Sequence, residues 1–516
     1  MAKQKTTPDW TEILSTLENL VQNGQHLQAK KNLDALNFQQ IPRAHALALA
    51  ELAWRMSHNV EALKILNPLI HPKNTFAKPA SGLEKLTYGS VLVNLGAHDE
   101  ALEIFESIDF RSHPEVLLRK AICHFKSWNY ATSIPLLQLY VEQKSISPYK
   151  RLIGQVNLAA ALVDQCQWKE SLELIHEIQS ECEKNSYTLL LGNSFELEAQ
   201  IHFFQRNFDS ASMLLERAKN CLEHQNGDFL LYAEKWWLIC NCFKSRDENK
   251  HEEFSNFLNE LHDLKARAAQ LRHWETIREC DLFESILTQN EDLARKVIMG
   301  TPIENYRQRV RRLFGSKLSL RGQYTLDLGQ IQVSSREISL FDPYKRQKGG
   351  EGLFEKPLFL SLFEALTFDF YKPRHLGDLF QKIYPGEKFN PFSSPERVLK
   401  LMKRLNVWFV QQDVPLRIRL KKSEFSLTSH ENQKVNVLIS RGKKLSAEAG
   451  YFNQLKELFT DRPFSSEQVA EKLEISRTKA QTLIQQALDS GQAARIGTGR
   501  ATRYQLKPRA AKSKAA

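Results

Sequence analysis

Over roughly the first 300 residues, apolar positions recur three and four apart, in helix-length segments separated by polar or glycine-containing turns. The stretch 82–108, GLEKLTYGSVLVNLGAHDEALEIFESI, shows the pattern most plainly. It has small residues at Gly89 and Ala101, a turn glycine at Gly96, and large apolar residues at Leu92, Phe105 and Ile108. Two antiparallel helices joined near Gly96 follow from this, with small side chains permitting close approach and large ones filling the groove to the next pair. The small position of the second helix recurs at Ala29, Ala62, Ala101, Ser133, Ser171 and Ala211, at intervals of 33, 39, 32, 38 and 40 residues. First-helix counterparts are Leu17, Ala50, Gly89, Ala121, Ala159 and Ala199, Leu17 being the departure, and aromatic residues stand ahead of the second helix at Tyr130, Trp168 and Phe208. Helical spacing continues through 228–300 but fits the template poorly, as a terminal unit does.

These residues resemble the tetratricopeptide repeat, two helices per unit with a period of about 34 residues. The resemblance implies an α-solenoid whose concave face binds a peptide or protein partner.

Past Arg311 the period changes to two, at Tyr324, Leu326 and Leu328, then Ile331 and Val333, then Ile338 and Leu340, which predicts short antiparallel strands. A basic, glycine-rich loop follows at 341–352. Helices are then predicted over 357–370, 373–384 and 395–411, the last with Ser394 as N-cap, Pro395 at its first position and Glu396 in its first turn. That helix carries an apolar stripe of Val398, Leu401, Leu405 and Trp408, and a cationic one of Arg397, Lys400 and Arg404. The segment 415–427 reads as a hairpin bearing Arg417, Arg419, Lys421 and Lys422. Strands, three helices and a hairpin in that order resemble the OmpR-type winged-helix effector domain of bacterial response regulators. By that resemblance helix 395–411 would enter the DNA major groove and the hairpin would reach a phosphate or the minor groove.

A second set of elements occupies 447–508. Helices are expected at 448–460, 465–474 and 477–491, with Ser465 and Gln468 spaced as a capping box. Val469, Ala470, Leu473, Ile475, Ala480, Leu483, Ile484, Ala487 and Leu488 supply a small core. This run looks like the winged helix-turn-helix of many bacterial regulators. Its recognition helix would present Arg477, Thr478, Gln481 and Gln485 to base edges and Lys479 to a phosphate, with Arg495, Arg500 and Arg503 on the wing.

Charge sharpens the division. The chain has 516 residues, 71 Lys plus Arg and 60 Asp plus Glu, for a net charge of +11. Residues 301–516 hold 39 basic and 21 acidic side chains, +18, which leaves −7 on residues 1–300. A field of that sign over the C-terminal part attracts polyanions. The seven cysteines lie in helix-patterned sequence, and Cys240-x-Cys242 has no second metal pair, so they read as reduced, packed thiols of a cytoplasmic protein. There is no membrane-span pattern, no cofactor or metal motif, and no nucleophile or phosphate-loop motif on which an enzyme could rest.

The reading is a mainly α protein: an N-terminal α-solenoid of helix-turn-helix repeats over 1–300, two small α+β winged-helix domains over 310–430 and 447–508, and a basic tail at 509–516. The expected function is transcriptional regulation, with double-stranded DNA bound by the two winged helices and a protein or peptide partner on the concave face; such an array is also compatible with a homodimer. The alternative is an interaction scaffold whose winged helices contact protein or RNA.

Overall fold

A repeated turn explains the spacing of the small residues. The computed structural model describes residues 9–315 and 321–506 apart from 24, 73–77, 226–227, 328–329, 335–355, 368, 415, 422, 430–434, 441–454, 456–457, 460–461, 474, 490–492 and 498–501. Six helix hairpins come first: α1 (Trp10–Gln22) with α2 (His26–Asp34), α3 (Arg43–Arg55) with α4 (Asn59–Ile70), and α5 (Gly82–Asn94) with α6 (His98–Glu106). Then follow α7 (Glu115–Lys126) with α8 (Tyr130–Val141), α9 (Pro148–Asp164) with α10 (Trp168–Asn185), and α11 (Thr188–Phe204) with α12 (Phe208–Leu222). From the second hairpin onward the turn holds one residue in left-handed backbone: Ser57, Gly96, Trp128, Cys166 and Arg206. Each stands seven residues after the first-helix small position and five before the second-helix one.

The residue after each left-handed position donates its N–H back to the preceding helix. His58 reaches the Ala53 carbonyl, Ala97 that of Leu92, Asn129 that of His124, Gln167 that of Leu162 and Asn207 that of His202, at 2.8 to 3.0 Å. This is a Schellman closure, which satisfies carbonyls that a helix end would otherwise leave bare. It brings the small positions together. Ser133 Oγ donates to the Ala121 carbonyl at 3.2 Å and Ser171 Oγ to that of Ala159 at 3.3 Å. At Gly89 a Cβ would lie 2.5 Å from the ring of Phe105.

The array continues through the sequence that fits the template poorly. Helices α13 (Phe229–Asp247) and α14 (His251–Leu271), then α15 (Trp274–Thr288) and α16 (Glu291–Met299), form two more hairpins with Asn249 and Gln289 left-handed. Seven residues before Asn249 is the buried Cys242 and five after it is Phe254, a ring where the template has a small residue. Cysteine takes the small role in α13, beside Cys240, whose thiol points to the Phe208 carbonyl at 3.4 Å. Burial pushes both thiols up to about 12.

Helix α17 (Glu304–Phe314) leads to two small α+β units. Strands β1 (Arg321–Asp327) and β2 (Gln330–Ser334) pair antiparallel, in the expected alternating segment. The first unit then runs α18 (Pro357–Thr367), β3 (Arg374–His375), α19 (Leu376–Ile383), α20 (Ser394–Gln411), β4 (Leu416–Lys421) and β5 (Glu424–Ser429), with sheet order β3–β5–β4. Strand β6 (Val435–Ser440) returns to pair with β1. The second unit has α21 (Ser466–Lys472), α22 (Arg477–Asp489), β7 (Ala493–Ile496) and β8 (Arg503–Leu506), and Phe464 bridges to Tyr504. The capping box at Ser465 and Gln468 is formed, and the nine apolar residues expected in this unit's core pack together. Ser394 does not cap α20. Ser393 flanks the helix, and the Ser394 hydroxyl accepts the Asn390 N–H at 2.9 Å, so the chain turn before the helix claims it. The Ile338 and Leu340 segment, the loop 341–352, Lys422, Arg500, most of helix 448–460 and the tail 509–516 lie outside the described residues.

The first α+β unit is docked on the solenoid through polar contacts. The Asp378 N–H donates to the Leu95 carbonyl at 3.2 Å, and the Phe389 N–H donates to the Glu100 carboxylate at 2.7 Å. A Cβ at Gly377 would stand 2.6 Å from the Leu95 oxygen, so only glycine permits that approach. Fully buried Arg278 of α15 binds Asp369 at 2.8 Å, and the Tyr371 hydroxyl donates to Asp281 at 2.8 Å. Arg272 pairs with Glu424 of β5.

Gly89→Val should destabilise the chain by about 1–3 kcal/mol, because the added side chain must displace the Phe105 ring from a filled groove. Urea unfolding followed by far-UV circular dichroism measures it; an unchanged midpoint would contradict the close approach.

Candidate partner-binding cleft and basic surfaces

The first helices of successive hairpins line one face of the array, and a cleft of about 460 Å³ opens there. Its walls come from α7, α9, α11 and α13, with α15 and α17 closing one side. Trp128, Trp168, Phe204, Tyr232 and Trp236 supply aromatic surface, Trp168 and Phe204 lying stacked with centroids 5.9 Å apart. The aromatic at Trp168, singled out in the sequence, is therefore part of a wall, and its partners Phe204 and Trp236 carry no sequence signal beyond an apolar helix face.

Helix α17 occupies part of this face itself. Tyr306 is buried against Trp128 at 4.5 Å, and Asn305 donates to the Trp128 carbonyl at 3.3 Å. Arg309 reaches Glu279 at 3.4 Å, the carboxylate that Lys235 also binds at 2.5 Å. Burial alone would raise the Glu279 carboxyl, but Lys235 and Arg309 together hold it below its ordinary range. Lys235, buried, lies 5.0 Å over the Trp236 ring. The cleft floor thus holds one buried carboxylate between two cations.

Glu196, in the same wall, differs. Desolvation raises its pKa from 4.5 to about 7, with Glu279 adding to the shift and Lys235 and a hydrogen bond from Gln200 opposing it.

The basic side chains anticipated in the two α+β units are distributed unevenly. Arg397 is engaged within its own unit: it forks onto Glu387 at 2.6 and 3.2 Å and lies 3.9 Å over the Tyr384 ring. Lys400 pairs with Glu396 at 2.8 Å on an exposed turn, and Arg404 covers Phe359 at 5.6 Å. By contrast Arg417, Arg419 and Lys421 stand exposed along β4, while Leu416 and Ile418 point into the core. Asn406 of α20 holds that strand by a reciprocal pair of hydrogen bonds with Ile418, 2.8 and 3.1 Å, fixing the hairpin against the helix.

In the second unit Thr478, Gln481 and Gln485 are exposed on one side of α22, with Ala480, Leu483, Ile484 and Ala487 buried on the other. Arg477 pairs with Glu467 of α21, Arg495 contacts the Thr502 hydroxyl at 3.4 Å, and Arg503 donates to Gln468 at 3.1 Å. The backbone of Lys479 lies in α22 between these residues.

The Glu196 shift has a definite sign. Below about pH 4.5 the carboxyl is protonated whether the chain is folded or not. As pH rises from 4.5 toward 7 the unfolded chain ionises first, so stability falls across that window. Glu196→Gln should flatten this part of the stability profile in thermal unfolding between pH 4 and pH 8, leaving the contributions of Glu100 and Glu364, which burial also pushes up to about 7.

No family model and no curated protein matches the chain. Solved structures with similar helical arrays include a Rap protein complexed with competence and sporulation factor, 12% identical, covering 60% of this chain and 93% of that one, TM-score 0.39. Aspartyl phosphate phosphatase F from Bacillus subtilis is 13% identical, covering 61% and 94%, TM-score 0.35. The human IFIT1 dimer with m7Gppp-AAAA is 13% identical, covering 94% and 91%, TM-score 0.32. At these scores the likenesses carry no argument about function, and the repeat architecture rests on the turns and packing described above.

Proposed function

We propose that this chain is an interaction protein whose helical array holds a segment of a protein or peptide partner in the aromatic cleft, and whose C-terminal units, arranged as winged helices, present a basic surface to a second partner. The observation that carries the reading is the cleft. Trp128, Trp168, Phe204, Tyr232 and Trp236, drawn from the stretch between α7 and α13, converge there over a floor in which the Glu279 carboxylate is held between Lys235 and Arg309. A concave surface that sets aromatic rings beside charged groups suits an extended segment carrying both apolar and polar side chains.

A peptide-display selection against the full chain tests this. Peptides should enrich, and Trp168→Ala with Phe204→Ala should weaken them about tenfold or more, since a buried aromatic contact contributes more than 1 kcal/mol at such sites. Enriched peptides that bind the double variant equally well would defeat the reading.

A second reading, regulation of transcription through duplex DNA, is favoured by one arrangement. The row Arg417, Arg419, Lys421 on β4 and the polar face Thr478, Gln481, Gln485 on α22 are both left exposed by the fold. Short polar side chains on a helix flanked by basic hairpins are what base-edge and phosphate contact require. If six to ten phosphates are contacted, affinity for a random duplex should fall on the order of 10³ to 10⁵ fold between about 50 and 200 mM salt. Arg417→Ala with Arg419→Ala should reduce that slope, and Gln481→Ala should alter sequence preference; a flat salt dependence in fluorescence anisotropy would leave only the scaffold.

A further inference from the structure

Docking of the first α+β unit on the solenoid leaves a second cavity, of about 420 Å³, between them. The solenoid contributes the turn from α5 to α6, including His98, and Lys126 at the end of α7; the α+β unit contributes the segment from Asp369 to Lys382. Neither part encloses the cavity alone.

Most charges in its wall already have partners. Asp369 binds Arg278 at 2.8 Å, and Asp378 binds Arg374 at 3.0 Å and Lys382 at 2.7 Å. Glu275 lies 3.4 Å from Arg278. Lys126 and Lys372 form no ion pair among the described residues, although both line this cavity and the aromatic cleft beside it. Asp99, the remaining acid of the wall, is exposed to solvent, as is Lys126 at the cavity's edge.

Lys126 is pulled below its ordinary range first by desolvation and then by Lys372, with Glu275 opposing. His98 and His375 are lowered to about 4, again by burial first and Lys372 second, with Asp378 opposing in both, so both imidazoles are neutral at pH 7. His375 has Glu424 at 3.9 Å on its other side. Arg374, itself buried, keeps one terminal nitrogen without a hydrogen-bond partner among the described residues. Lysines that line a partly desolvated cavity without a carboxylate in ion-pair reach among the described residues cost free energy that an anionic ligand would offset.

We propose that this junction cavity binds a small phosphate-bearing molecule, its phosphate held by the ammonium groups of Lys126 and Lys372 with the imidazoles of His98 and His375 as further donors. Lys126 and Lys372, with no carboxylate in ion-pair reach among the described residues, offer two cationic groups to a phosphate dianion, whereas a lone carboxylate would engage only one. A cavity of this size also exceeds what inorganic phosphate fills, leaving room for the organic part of a metabolite. Since Lys126 belongs to the solenoid and Lys372 to the α+β unit, the ligand ties the two together. This holds whatever segment occupies the neighbouring cleft.

Titration calorimetry of the full chain at pH 7 and constant ionic strength, with inorganic phosphate, adenosine 5′-monophosphate and adenosine as probes, tests the site. Both phosphate-containing probes should bind and raise the thermal midpoint, and adenosine should do neither. Tighter binding of the monophosphate than of phosphate assigns part of the cavity to an organic moiety; equal binding assigns the site to the phosphate group alone, and either result supports an anion site. Lys126→Ala and Lys372→Ala should each weaken binding about tenfold, with Lys372→Arg retaining most of it. Neither lysine has an ion pair to lose, and far-UV circular dichroism verifies that the variants fold. Absence of binding by both phosphates, or equal affinity for the wild type and the Lys126→Ala/Lys372→Ala double variant, would overturn the proposal, the latter placing the anion on the exposed basic strands instead.

Discussion

The ion pair between Arg278 and Asp369 is the contact on which the arrangement of the chain depends. Arg278 is wholly buried in α15, and Asp369 receives not only its guanidinium but also the backbone N–H groups of Tyr371 and Lys372, each at 3.0 Å. A guanidinium taken this far from water is tolerable only with such a partner, and loss of one member of a buried pair typically costs about 3–5 kcal/mol. The neighbouring Asp281 is served by Lys265, Lys296 and the Tyr371 hydroxyl. Two carboxylates and their cations thus join the last hairpins of the array to the start of the first α+β unit. Both cavities discussed above take their shape from that junction.

Such an arrangement fixes the geometry of docking. Apolar faces tolerate sliding, whereas a buried carboxylate with three directed donors accepts one geometry. The remaining docking contacts agree with it: the Leu95 carbonyl meets the Asp378 N–H, and Glu100 meets the Phe389 N–H. Helix α17 performs a similar task on the inner face, where Tyr306 and Arg309 settle on Trp128 and Glu279. The array therefore holds part of its own chain, and the cleft is the portion of the inner face that α17 leaves open.

Much of the repeat was legible because close helix approach is a local demand on residue size. Ala62, Ala101, Ser133, Ser171 and Ala211 could be aligned by type, and all are fully buried at the crossing points. The seventh hairpin escaped that template because Cys242 and Phe254 stand where small residues were sought, and the eighth because Leu282 takes the first-helix position although Ala294 keeps the second. In the second α+β unit the capping box and the apolar spacing were readable for the same reason: each is a relation among residues a few positions apart.

The chain's own order of residues thus determined its helical class, the phase of its hairpins, the change to strands after Arg311 and the concentration of positive charge beyond residue 300. Which of those charges face outward was decided by tertiary structure. Arg397 and Arg404 share a stripe in the sequence, yet Arg397 is half-buried against Glu387 and Tyr384, while Arg404, over Phe359, stays exposed like Arg417 and Arg419. Likewise no spacing relates Lys126 to Lys372 or Arg278 to Asp369. Such pairs lie many tens of residues apart and become neighbours only once the solenoid has curved and the α+β unit has docked, and that is why the cavities they border could not be read from the sequence.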